Sequence, residues 1–119
     1  MSITTSPHRA NIFNVLNLIA SRNDQLEYQR SATLNVANEL VSQWFGDFYH
    51  SSHVEFISEF STGELARLSQ FNAYYEERLT ALPDSLEGLH HTRVWQEVMA
   101  FAGKVLDACN WRGMEARYG

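Results

Sequence analysis

The sequence predicts an all-α fold: a single domain of four main helices in an up-down-like bundle, with a short extra helix near residues 52–59. Three observations carry this reading. Apolar residues recur at three- and four-residue spacing along most of the 119-residue chain. Helix start and stop residues fall at the ends of those stripes. Only one stretch alternates as a strand would, and it has no second strand to pair with.

Taken in order, Ser6-Pro7 supplies a capping hydroxyl followed by proline at a first helical position. Ile12, Phe13, Leu16, Ile19 and Ala20 then share a face. Asn23 or Asp24 can cap a second, long helix with the stripe Leu26, Leu34, Ala37, Leu40, Val41, Trp44, Phe45 and Phe48. Arg30 interrupts that stripe, and Gly46 is placed to end or bend it. Between His50 and Phe60, Val54, Phe56 and Ser58 alternate, whereas Val54, Ile57 and Phe60 fit a short helix; the helix is preferred. Ser61-Thr62-Gly63-Glu64 reads as a capping box. It opens a helix burying Leu65, Leu68, Phe71 or Asn72, Tyr75 and Leu79, which Leu82-Pro83-Asp84-Ser85 breaks. Thr92 starts the last helix, carrying Trp95, Val98, Met99, Ala102, Val105, Leu106 and Cys109, with Asn110 and Gly113 as stop signals.

Composition excludes several classes. At 45% hydrophobic the chain is not disordered, and one cysteine allows neither an internal disulfide nor a cysteine-based zinc site. No secretory signal and no apolar run of membrane-spanning length is visible, so a cytoplasmic location is expected. Charge is uneven. Residues 39–87 carry a net −7, and the segments on either side carry +1 each, within a total of −5. Such a middle repels phosphates, which argues against nucleic acid, and attracts a basic protein surface. A solvated glutamate-rich outer face is the plainer explanation of the same pattern.

No reaction motif is present. His50 and His53 lie one helical turn apart, but zinc needs three or four ligands. Glu87-Gly88-Leu89-His90 has the spacing used in di-iron bundles without the required second copy, and Pro83 and Gly88 predict a loop there. Glu55 with Glu59, and Glu76 with Glu77, read as solvated pairs, since catalysis needs one member desolvated. Cys109 lies on an apolar stripe and reads as a small core residue. No glycine-rich phosphate loop or nucleophile elbow exists. Neither an enzyme nor a cofactor is expected. The 15 aromatic residues exceed what four stripes can hide, leaving Tyr28, Tyr49, Tyr74, Trp111 and Tyr118 as candidates for a partly exposed surface.

The second half adds a resemblance. Thr62-Gly63-Glu64-Leu65, Leu68-Ser69-Gln70-Phe71-Asn72 and Leu79, the Leu82-Pro83 break, then Trp95-Gln96-Glu97-Val98, Ala102 and Val105-Leu106 span residues 61–109. This pattern resembles small helical immunity proteins of bacterial contact-dependent growth inhibition and related polymorphic-toxin systems. The resemblance implies a cytoplasmic protein that binds and neutralises one cognate toxin domain, commonly a nuclease. It carries no individual site residue. Charge and aromatic content select Glu55, Glu59, Glu64, Glu76, Glu77, Asp84 and Glu87 for contacts to a basic partner, with Tyr74 as an anchor. The competing reading is a helical adaptor or regulatory module that self-associates or docks a partner through an apolar helix face.

Overall fold

Proline at the first position of helix α1 (Pro7–Ala20) has no N–H to leave unsatisfied, and its fixed φ suits a helix start. The computed structural model describes residues 7–31 and 35–111, so Ser6, Leu34, Gly113 and Tyr118 lie outside the described residues. α1 buries Ile12, Phe13, Val15, Leu16 and Ile19. One residue separates it from α2 (Arg22–Ser31). Ser21 Oγ accepts the Asp24 N–H at 3.1 Å, so Ser21 caps α2 in place of Asn23 or Asp24.

The long second helix is corrected to separate pieces. α2 ends at Ser31, α3 spans Val36–Ser42, and a π-helix continues from it over Gln43–Phe48. Asn35 sets the new start. Its backbone is extended, and its Oδ1 accepts the Ala37 N–H at 3.0 Å. Arg30 is exposed, as a charge interrupting an apolar stripe should be. Gly46 lies inside the π-helix and does not end it.

Residues near 52–59 do form a short helix, α4 (Val54–Ser58), but its buried face differs from the expected one. Phe56 and Phe60 are buried, their rings 4.8 Å apart, while Val54 is 76% and Ile57 39% exposed. Burying two aromatic rings four residues apart removes more apolar area from water than burying valine and isoleucine would.

α5 (Thr62–Arg78) opens with both halves of the capping box between Ser61 and Glu64, and buries Leu68, Phe71 and Tyr75. A 3₁₀ turn over Leu79–Ala81 follows. The next segment, expected as a loop, contains α6 (Leu86–His90), because Ser85 Oγ accepts the Gly88 N–H at 3.1 Å and caps it. Gly88 allows Pro83 to pack closely: a Cβ there would lie 2.8 Å from Pro83 Cβ. α7 (Arg93–Cys109) starts at Thr92 and stops at Asn110, whose φ of 63° is left-handed. The Asn110 N–H donates to Asp107 O at 3.2 Å and the Trp111 N–H to Leu106 O at 2.8 Å. That pairing is a Schellman closure, and it turns Trp111 inward to 2% exposure. Trp111 is therefore core, contrary to the expectation of a surface ring.

The all-α class holds, but the described residues form seven α-helices without a strand, not four main ones. α1 and α5 both pack on α7, α1 the more extensively. Gln25 of α2 is wholly buried among them. Its Nε2 donates to Leu18 O at 3.0 Å and Ile19 O at 2.9 Å, two carbonyls at the end of α1. Its Oε1 accepts from Trp95 Nε1 at 3.3 Å and from His90 Nε2 at 2.7 Å. All four hydrogen-bonding positions of the carboxamide are thus used, joining α1, α2, α6 and α7. Two further bonds, one of them fully buried, tie α3 and the π-helix to α5. Tyr75 Oη donates to Leu40 O at 3.1 Å, and Trp44 Nε1 donates to Asn72 Oδ1 at 3.0 Å.

Replacing Gln25 by leucine, close in size but without polar atoms, strands the Ile19 carbonyl, an indole N–H and an imidazole. Chemical denaturation should show a loss of about 3 kcal/mol or more, since each buried unsatisfied group costs roughly 1–3 kcal/mol. Gly88→Ala should lose about 1–3 kcal/mol by forcing Pro83 away from α6. Gly63→Ala, where a Cβ meets nothing within 4 Å, should not be destabilising.

Candidate functional site

The acidic residues selected from sequence divide between the two ends of α5. At ~1.5 Å of rise per residue, Glu64 and Glu76 stand ~18 Å apart along the helix. Glu59 and Glu64 at the first end are engaged within the molecule. Glu59 Oε1 accepts the backbone N–H of His8 at 2.8 Å and of Arg9 at 3.1 Å, so it caps α1 from 50 residues away. Arg9 Nη1 donates to Glu59 O at 2.8 Å and to Glu64 Oε1 at 2.8 Å. The Arg9 guanidinium also lies 5.3 Å from the ring centroids of Phe13 and Phe60 and 5.5 Å from that of Trp111. Burial by itself would raise the Glu64 carboxyl. Hydrogen bonds from Arg9 and Ser61, with the Arg9 charge, outweigh that and hold it below its ordinary value. Glu55, beside this junction on α4, is exposed.

At the other end Glu76, Glu77, Asp84 and Glu87 are all exposed. Among the described residues no cation reaches ion-pair distance of Glu76, Asp84 or Glu87, and Glu77 has Arg78 at 3.4 Å. Arg78 is mostly committed elsewhere: it donates to Tyr74 O at 3.0 Å and its guanidinium sits 3.4 Å over the Tyr74 ring. Tyr74 is half-buried, 4.7 Å from Phe101, so it offers an edge to solvent and not a whole ring. An open groove of about 450 Å³ runs between α3 and the turn after α5, lined by Ala37, Val41, Leu79, Leu82 and Pro83 with Asn38, Ser42 and Asp84 as its polar part. Asn35 ties the two walls together. The carboxamide that caps α3 also donates to Asp84 O at 2.9 Å.

The other constellations resolve individually. His50 and His53 stack in parallel, centroids 4.9 Å apart, with His50 Nε2 against Asp47 O at 2.7 Å. Their ring planes do not converge on a common point. Glu87 and His90 part company, since Glu87 faces solvent and His90 is buried on Gln25. Burial pushes the His90 imidazole down, helped by the charges of Arg22 and His91. Cys109 is half-buried, and burial, then the Glu64 charge, push its thiol up against the smaller influence of Arg67 and Arg9. Among the described residues no three histidine, cysteine, aspartate or glutamate side chains are placed to hold a metal ion. None of the described helices is long and apolar enough to cross a membrane.

Comparison with protein families, curated proteins and solved structures finds no match to this chain. The functional reading therefore stands on the geometry above. Sequence reasoning missed Arg9, Gln25 and Asn35. Asn35 alone carried a local signal, as a good N-cap residue before Val36.

The Arg9–Glu64 pair sets a pH dependence. A carboxyl held below its ordinary value stabilises the fold above the unfolded pKa, and that contribution disappears as pH falls through the folded value. Denaturation midpoints measured from about pH 7 down to about pH 3 should fall on the acid side. In Arg9→Gln the acid limb should be shallower and the neutral-pH stability lower.

Proposed function

We propose that this chain is an immunity protein that binds and neutralises a cognate bacterial toxin domain, a nuclease with a basic cleft. The observation that carries the reading is the set of exposed acids at and after the end of α5, three of which have no cation at ion-pair distance among the described residues. Exposed carboxylates grouped in this part of the fold supply a field that speeds encounter with a basic surface. Tyr74, backed by Phe101 and Arg78, adds an aromatic edge beside them. The contact set narrows accordingly to Tyr74, Glu76, Glu77, Asp84 and Glu87, with Glu55 outlying. Glu59 and Glu64 contribute to the surface indirectly, by holding α1 and α5 together. The likeness of residues 61–109 to immunity proteins supports the same reading.

A second reading has its own observation. Val54 and Ile57 are exposed three residues apart on α4, an apolar edge suited to an adaptor that self-associates or docks a partner there. Salt separates the two, because steering by acids weakens as ionic strength rises and apolar contact does not.

Co-expression with a toxic domain encoded beside this gene should rescue growth and yield a stoichiometric complex. A toxic neighbour neither bound nor neutralised overturns the reading. In that complex, Glu76→Lys with Glu77→Lys should weaken binding about tenfold or more, mainly through a slower association rate. Val54→Asp should leave it unchanged, and loss of binding in Val54→Asp alone would favour the adaptor.

A further inference from the structure

We infer that the groove between α3 and the turn after α5 is the seat for one apolar side chain of the partner, delivered on a cationic amphipathic segment. The inference rests on the neutralisation reading for the partner's identity, but its chemistry comes from the groove. Ala37 and Val41 lie one helical turn apart on α3, and Leu79, Leu82 and Pro83 face them across the opening. A volume of about 450 Å³ is ample for a large side chain, and the mouth is open enough for a segment to reach in from outside.

The walls are fixed before anything binds. Asn35 spans them through its two hydrogen bonds, to Ala37 N–H and Asp84 O. Pro83 is seated on Gly88, and Ser85 caps α6 immediately behind. A preformed groove spends little free energy on ordering when it is filled.

The rim decides the sign of the occupant's charge. Asp84 lies on the groove wall, Glu76 precedes Leu79 by three residues, and Glu87 follows Asp84 by three. Arg78, the cation within this segment, is folded back over Tyr74. A lysine or arginine flanking the inserted side chain meets Asp84, which has no cation at ion-pair distance among the described residues, whereas an acidic segment is repelled.

The test uses the full chain, ¹⁵N-labelled, titrated with a capped 14-residue amphipathic helix of leucine and lysine, and separately with its leucine–glutamate counterpart. Backbone amide shifts confined to residues 37–42 and 79–84 are expected with the lysine peptide, weakening as salt rises. Val41→Glu, at a half-buried position, should weaken that binding at least about tenfold while leaving the circular dichroism spectrum unchanged. Asp84→Asn should weaken it less and flatten the salt dependence. No shift in the groove, shifts centred on Val54 and Ile57, or equal binding of the glutamate peptide each overturn the inference. A toxin domain neutralised by a chain whose groove ignores the peptide would remove the groove and leave the neutralisation reading. Peptide seated in the groove without any toxin rescue would do the reverse.

Discussion

The carboxamide of Gln25 is the interaction on which the rest of this fold depends. A wholly buried glutamine is tolerable only when both donors and both acceptor positions are used, and here they are used by three other helices, α1, α6 and α7. The two donors close the end of α1, while the acceptor gathers the Trp95 indole and the His90 imidazole. Apolar packing of α1 on α7 is the most extensive helix contact, but a greasy interface alone tolerates sliding and rotation. Gln25 removes that freedom, because any other register of α1 against α7 leaves polar atoms stranded.

The opposite end of α1 is fixed by a different chemistry. Glu59 caps the helix, and Arg9 is held between Glu64 and three aromatic rings. α1 is thus pinned near both termini, and α5 is oriented through its own capping residue. This explains why the surface acids are not equivalent. Those near the start of α5 neutralise Arg9 and hold the helices, and those near its end make no such tie among the described residues.

Much of the architecture was legible because it is encoded by near neighbours. The Ser61–Glu64 box, Thr92, Asn110 and Pro7 act over one to three residues, and each marks a helix end as expected. The break between Ser31 and Val36 was not legible. The stripe from Leu26 to Phe48 keeps helical spacing across it and masks the N-cap signal of Asn35, whose side chain also reaches Asp84. The face of α4 was misassigned for a similar reason: spacing fits Val54 and Ile57 as well as it fits Phe56 and Phe60, and only Trp111, Tyr49 and the core decide. Net charge located the acidic segment, but could not divide it. The division depends on Arg9, separated from Glu59 and Glu64 by 50 and 55 residues.

The remote cap on α1 has a consequence for how the chain comes off the ribosome. A helix whose first N–H groups are satisfied by Glu59 has no such partner while only its own residues have been made. The aromatic cage around Arg9 is completed later still, by Trp111. At ~5–20 residues per second, synthesis leaves α1 waiting several seconds for its closing contacts. Because α1 and α7 form the most extensive helix pair, the nascent chain has little stable structure to gain piecemeal. α1 is made well before the residues that close it, and through that interval its apolar face depends on other cover or on speed.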